Sequence, residues 1–145
     1  MNNSTTFEHL WKYFEIHAQQ RMIVFNYFIV IAGATVTGIG FCIQQGSKYN
    51  YLASSLGIFL LVLSFIFWKL DQRVSILVKL AETALIDFEE KYENNSFKLF
   101  KNEKESTSIL RGVTSVWTFG KCFRYTFSIM GYIGFITIFL PHFMN

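Results

Sequence analysis

Three stretches of this chain carry no charged side chain: residues 22–47, 49–68 and 125–145, of 26, 20 and 21 residues. About 20 apolar residues of helix cross a hydrocarbon slab of roughly 30 Å, so each stretch is long enough to span a bilayer. Composition points the same way. At 52% hydrophobic and 19% aromatic against 16% charged, the 145 residues are too apolar for a water-soluble domain of this size. The expected fold is an all-α membrane protein with transmembrane helices at about 22–45, 50–68 and 124–141. Amphipathic helices in 5–21 and 69–122 are expected to form a cytoplasmic layer, the whole of 1–145 being one membrane domain.

The ten acids and thirteen bases all lie outside the apolar runs. Between the second and third runs stand Lys69, Arg73, Lys79, Lys91, Lys98, Lys101, Lys104, Arg111, Lys121 and Arg124, whereas the first connection has only Lys48 and nothing charged follows Arg124. Because lysine and arginine are retained on the cytoplasmic side, the N-terminus and the central segment are expected inside and the C-terminus outside. Trp11, Trp68 and Trp117 then fall near the inner interface, and Tyr49, Tyr51, Phe139 and Phe143 near the outer one, where aromatic rings collect. A cleaved signal peptide is not expected, since the flank before the first run holds Glu8 and Glu15 and no small-residue cleavage site follows it. Cys42 and Cys122 belong at opposite ends of their spans and cannot pair within one chain.

Thr5 with Glu8 fits a helix-capping box, and Phe7, Leu10, Trp11, Phe14 and Ala18 follow at helical spacing. One helix is expected over about 5–45, a short turn at Gly46, Ser47 and Asn50, and a second helix over about 51–92. The segment "ENNSFKLFKNEKEST" (93–107) reads as a loop. Ser106 or Thr107 is expected to cap a helix carrying Ile109, Val113, Val116 and Trp117 on one face, and Pro141 to end the third span.

Two helical stripes are candidates for function. Leu70, Val74, Leu77, Ala81, Leu85, Phe88 and Tyr92 recur in steps of three and four, a heptad seam beyond the second span. It can pack on the chain's own Phe7–Phe14 and Ile109–Trp117 faces, couple one subunit to another, or do both. On the first span, Asn26, Gly33, Thr37, Gly40 and Gln44 fall within a narrow arc of one face. Such a stripe is either a small-residue packing seam or the wet lining of an oligomeric pore, since three helices alone cannot enclose a water path. Smaller stripes at Ser54, Gly57 and Ser64, and at Ser128 and Gly131, are read as packing.

Catalysis has little to stand on. There is no glycine-rich phosphate loop, no HExxH and no GxSxG. His9 and His17 with Glu15 lack a further ligand at suitable spacing, and His142 stands apart from them. No acid lies inside a span, which argues against an ion-coupled transporter. We therefore expect no enzyme activity, no catalytic residue, no metal and no cofactor. Direct nucleic-acid binding is not expected either, because eight acids offset the ten bases of the central segment.

At "YFEIHAQQRMIVFNYFIVIAGATVTG" (13–38) and "FWKLDQRVSILVKLAETALIDFEEKY" (67–92) the chain resembles small bacterial membrane proteins of antiphage loci. Its layout is similar to that of the octameric membrane accessory protein of type VI-B CRISPR systems and to retron membrane effectors. The resemblance covers about a third of the chain. It implies a homo-oligomeric effector in the bacterial inner membrane that, when activated, opens a pore and depolarises the cell, with a cytoplasmic defence sensor or nucleoprotein as partner. A non-conducting scaffold that anchors a cytoplasmic partner is the alternative. The Arg-x(4-6)-His ribonuclease motif sought in such proteins does not occur here. Under the effector reading, the helix beyond Trp68 is a lever whose packing moves the span.

Overall fold

The computed structural model describes residues 3–92, 100, 102 and 118–143. Helix α1 runs Asn3–Gln44, α2 runs Asn50–Tyr92 and α3 runs Phe119–Phe143. All three are long and apolar enough to cross a membrane. At 1.5 Å per residue the 42 residues of α1 and 43 of α2 each reach about 63 Å, twice the hydrocarbon thickness. Of the loop expected at 93–107 only residues 100 and 102 are described, both helical, and the helix face expected at Ile109–Trp117 lies outside the described residues.

Local chemistry explains the boundaries. α1 begins at Asn3, two residues before the expected cap, so Thr5 and Glu8 sit within its first turns. It ends at Gln44, two residues before Gly46, whose φ of 84° is open to glycine but not readily to a residue with a Cβ. A single 3-10 turn, Ser47–Tyr49, then reverses the chain, with Tyr49 N–H donating to the Gly46 carbonyl at 3.1 Å. α3 continues two residues past Pro141. The proline removes one donor near the end of the helix, where the cost is small, and neighbouring side chains accept the duty of capping: Asn50 Nδ2 donates to the Pro141 carbonyl at 2.8 Å and Ser54 Oγ to the Ile138 carbonyl at 2.9 Å.

The chain divides into two compact units, Met1–Arg21 with Arg73–Thr118, and Met22–Gln72 with Phe119–Asn145. In the second, the buried positions of α1 are Phe28, Ala32, Thr35, Ile39 and Cys42, at steps of four and three. α2 contributes Ala53, Gly57, Leu60 and Ser64, and α3 contributes Phe123, Phe127, Gly134, Thr137 and Pro141. Spacing of this kind packs helices a little off parallel, as in coiled coils. The core is aromatic at one end, where Phe25 stacks on Phe123 at 4.0 Å and Phe28 meets Phe127 edge-on at 4.7 Å and Phe67 at 5.4 Å. Buried Thr35 and Thr137 donate to the carbonyls four residues back, so both hydroxyls are satisfied inside their own helices.

In the first unit, Leu85, Ile86 and Phe100 form a buried cluster onto which Phe7, Leu10 and Phe14 pack. Phe88 lies 5.6 Å from Phe7, and Phe100 is edge-on to both Phe14 and Trp11. The amphipathic N-terminal stretch of α1 thus buries its apolar face against the polar half of α2. Burial of a leucine or phenylalanine in such a cluster stabilises it by about 1.5–3 kcal/mol each.

Candidate functional site

The two small-residue faces of the membrane-length unit differ in what covers them. Along α2 and α3 the helices approach closely enough that glycine is required. A Cβ on Gly57 would lie 2.9 Å from the Gly134 carbonyl oxygen, and one on Gly134 would lie 2.8 Å from the Gly57 carbonyl oxygen and 2.9 Å from the Leu61 nitrogen. A Cβ on Gly131 would lie 3.4 Å from the Ser64 Cβ. Beyond Gly57, Ser54 and Asn50 hold the end of α3 through the bonds described above. His142 is also engaged, contrary to the expectation that it stands alone: its Nε2 is 3.3 Å from Ser54 Oγ and its ring 5.7 Å from that of Tyr51. Ser54 donates its one proton to Ile138, so it accepts from His142. Packing thus accounts for Ser54, Gly57, Ser64 and Gly131, while Ser128 is exposed and donates to the Arg124 carbonyl at 2.9 Å.

The first-span stripe has no such cover. Asn26, Gly33, Thr37, Gly40 and Gln44 are all exposed, on the side of α1 opposite its buried heptad. A Cβ added at Gly33 or Gly40 would meet nothing within 4 Å. Thr37 Oγ1 donates to the Gly33 carbonyl at 2.9 Å, so the middle of the stripe offers no unsatisfied hydroxyl. Large apolar side chains border it, with Val30 69% and Phe41 59% exposed. The outcome is a shallow track of small residues with apolar rims, the shape that lets a second helix approach closely in lipid. Its polar ends, Asn26 and Gln44, lie a helix length of about 27 Å apart, comparable to the roughly 30 Å of a hydrocarbon core.

The heptad seam on α2 is placed differently along its length. Val74, Ala81 and Leu85 are buried, Leu77 and Phe88 half-buried, and Phe88 and Leu85 are covered by the chain's own N-terminal helix. Leu70 is 40% exposed; the buried position is its neighbour Asp71, at 2%. Nothing of the Tyr92 side chain is described. Buried acids are what sequence reasoning missed. Both Asp71 and Glu89 are nearly inaccessible, and the Glu89 carboxylate accepts the Phe100 backbone N–H at 3.4 Å. A carboxylate falling in a heptad position was the available signal, outweighed by the expectation that charge stays in water. His17 is in local contacts: its Nδ1 is 3.3 Å from Gln20 Oε1 and its ring is 4.3 Å from Tyr13.

Comparison with known proteins adds the family. CD-NTase-associated protein 19 from Escherichia coli is 49% identical over 138 residues, which is 95% of this chain and 91% of that protein. The chain belongs to this family. Identity at that level over nearly the whole of both chains means the three membrane-length helices and the polar continuations of α1 and α2 fall within the matched length. No family model and no solved structure matches the chain.

Proposed function

We propose that this chain is a membrane-embedded effector of antiphage defence which assembles through the open face of α1 into a homo-oligomeric pore and, once activated, depolarises the bacterial inner membrane. The observation carrying this reading is the uncovered stripe: Asn26, Gly33, Thr37, Gly40 and Gln44 face away from the chain's own core, and polar or glycine-rich surface in a bilayer seeks protein or water rather than lipid. A ring of copies supplies both. The name of the E. coli relative ties that protein to a CD-NTase, and the corresponding association would give this chain its cytoplasmic sensor. The resemblance of residues 13–38 and 67–92 to octameric and retron membrane effectors favours the same arrangement. In it the N-terminus is cytoplasmic, the trigger acts on the polar lengths of α1 and α2, and the chain performs no chemistry of its own.

One observation favours a second reading, a non-conducting scaffold that anchors a cytoplasmic partner. Because Thr37 spends its hydroxyl on the Gly33 carbonyl, the stripe suits a dry helix contact as well as a wet lining. A voltage-sensitive dye separates the two readings in cells expressing the wild type or an Asn26→Leu, Thr37→Leu, Gln44→Leu variant at equal membrane levels, together with the matching CD-NTase. The pore predicts depolarisation on phage challenge by the wild type alone. Unchanged potential in both, with protection retained, would sink the pore and leave the scaffold.

A further inference from the structure

We infer that the Trp68 end of the helical bundle carries a binding site for anionic phospholipid headgroups, built from Lys69 and Arg124. The inference rests on the chain spanning a membrane and is independent of whether it conducts. Depth comes first. Phe28 touches Phe67 of α2 and Phe127 of α3, which places those two residues in one layer. Lys69 lies two residues beyond Phe67, and Arg124 three residues before Phe127 on the antiparallel α3. Both bases therefore stand about 3–5 Å past the aromatic layer, on the same side and at the same level. Both are exposed.

Their surroundings favour an anion from lipid. Lys69 Nζ sits 5.0 Å from the Trp68 ring and 5.9 Å from the Phe65 ring, so its stem is laid along aromatic faces. In the whole unit, Met22–Gln72 with Phe119–Asn145, the sequence has one acid, Asp71, and it is 2% exposed. No exposed carboxylate in that unit competes for the two cations. Lys121, exposed one turn further out on α3, adds to the field. An indole beside a base is the arrangement found at the headgroup level of membrane proteins. Anionic headgroups at that level meet an ammonium on α2 and a planar guanidinium on α3, whereas a zwitterionic headgroup brings its own cation and gains less. By the orientation expected from the lysine and arginine distribution, this is the cytoplasmic leaflet, where anionic lipid attracts basic residues.

Trp68 is a built-in reporter. The full chain with Trp11→Phe and Trp117→Phe is reconstituted in phosphatidylcholine vesicles doped with brominated phosphatidylglycerol or, separately, brominated phosphatidylcholine, and quenching is titrated against mole fraction. The anionic quencher is expected to be enriched about fivefold around Trp68, near the effect of one well-placed base at a charged surface. Lys69→Gln with Arg124→Gln should bring the ratio to about one, and Lys69→Arg with Arg124→Lys should keep most of it. Equal quenching by the two lipids, or enrichment that survives the double glutamine variant, would overturn the site. Native mass spectrometry of the unsubstituted protein gives a check that no variant can spoil: retention of phosphatidylglycerol over phosphatidylcholine is expected, and equal retention counts against the proposal.

Discussion

The α2–α3 contact and the outer face of α1 use the same residue types at the same kind of spacing, yet one is filled and the other is bare. Asn50, Ser54, Gly57 and Ser64 meet a partner helix within the chain. Asn26, Gly33, Thr37, Gly40 and Gln44 meet none. The lesson is that small and polar residues in a membrane helix announce a neighbour without saying whose. On α2 the backbone itself is the contact surface, and side-chain hydroxyls close the helix end. On α1 the hydroxyl is folded back on its own helix and the glycines wait on empty space.

Substitutions can break this contrast. The largest effect is expected from Gly134→Leu, because its side chain would be driven into the Gly57 carbonyl and the Leu61 nitrogen, neither of which can rotate away. A loss of about 3 kcal/mol or more is expected, at or above the upper end of ordinary overpacking, read as loss of resistance to unfolding in mild detergent mixtures. Next, Gly33→Leu with Gly40→Leu should leave that resistance intact or raise it, since leucine is the better helix former by up to about 1 kcal/mol per site. The same pair should weaken self-association tenfold or more, about 1.4 kcal/mol, measured by cross-linking or mass photometry at several protein-to-detergent ratios. If Gly134→Leu and the Gly33→Leu, Gly40→Leu variant behaved alike, the distinction drawn between the faces would be lost.

Smaller effects sharpen it. Asn50→Ala removes the side-chain donor to the Pro141 carbonyl and is expected to cost about 0.6 kcal/mol, the average for polar contacts between membrane helices, and no more than about 1.7 kcal/mol. Faster hydrogen exchange confined to the last turn of α3 would be its signature. Ser64→Ala should have the opposite sign. The Ser64 hydroxyl is buried without a hydrogen-bond partner, so deleting it is expected to stabilise the unit by up to about 1 kcal/mol. A clear loss in the same unfolding assay would show that the hydroxyl is bonded after all.

Much of this architecture was legible because the bilayer imposes it. Runs without charge located the membrane-length parts of α1 and α2, helical periodicity without a breaker carried both helices beyond them, and Gly46 marked the turn. The heptad on α2 was legible at Val74, Ala81 and Leu85. It slipped at Leu70, where the buried place belongs to Asp71: periodicity scores apolarity, and a carboxylate in the seam counts against the right phase. The open face of α1 could be located from spacing but not distinguished from the closed one, because occupancy depends on residues far away in sequence. His142 shows the same limit. Its partners Tyr51 and Ser54 lie some ninety positions earlier, beyond the reach of any local pattern.

The order in which the contact partners are synthesised has a consequence of its own. Gly57 emerges about 77 residues before Gly134, an interval of about 4–15 s at translation rates of ~5–20 residues per second. From Tyr92, where α2 is complete, until Phe119, where α3 begins, α1 and α2 are made and α3 is not, so the nascent hairpin shows two small-residue faces instead of one. Ribosomes working side by side on one message would present such hairpins to each other while the α2 surface is still vacant. The late arrival of α3, latched by Asn50 and Ser54 at its very last turn, covers the α2 face and leaves each chain with the α1 face alone still open.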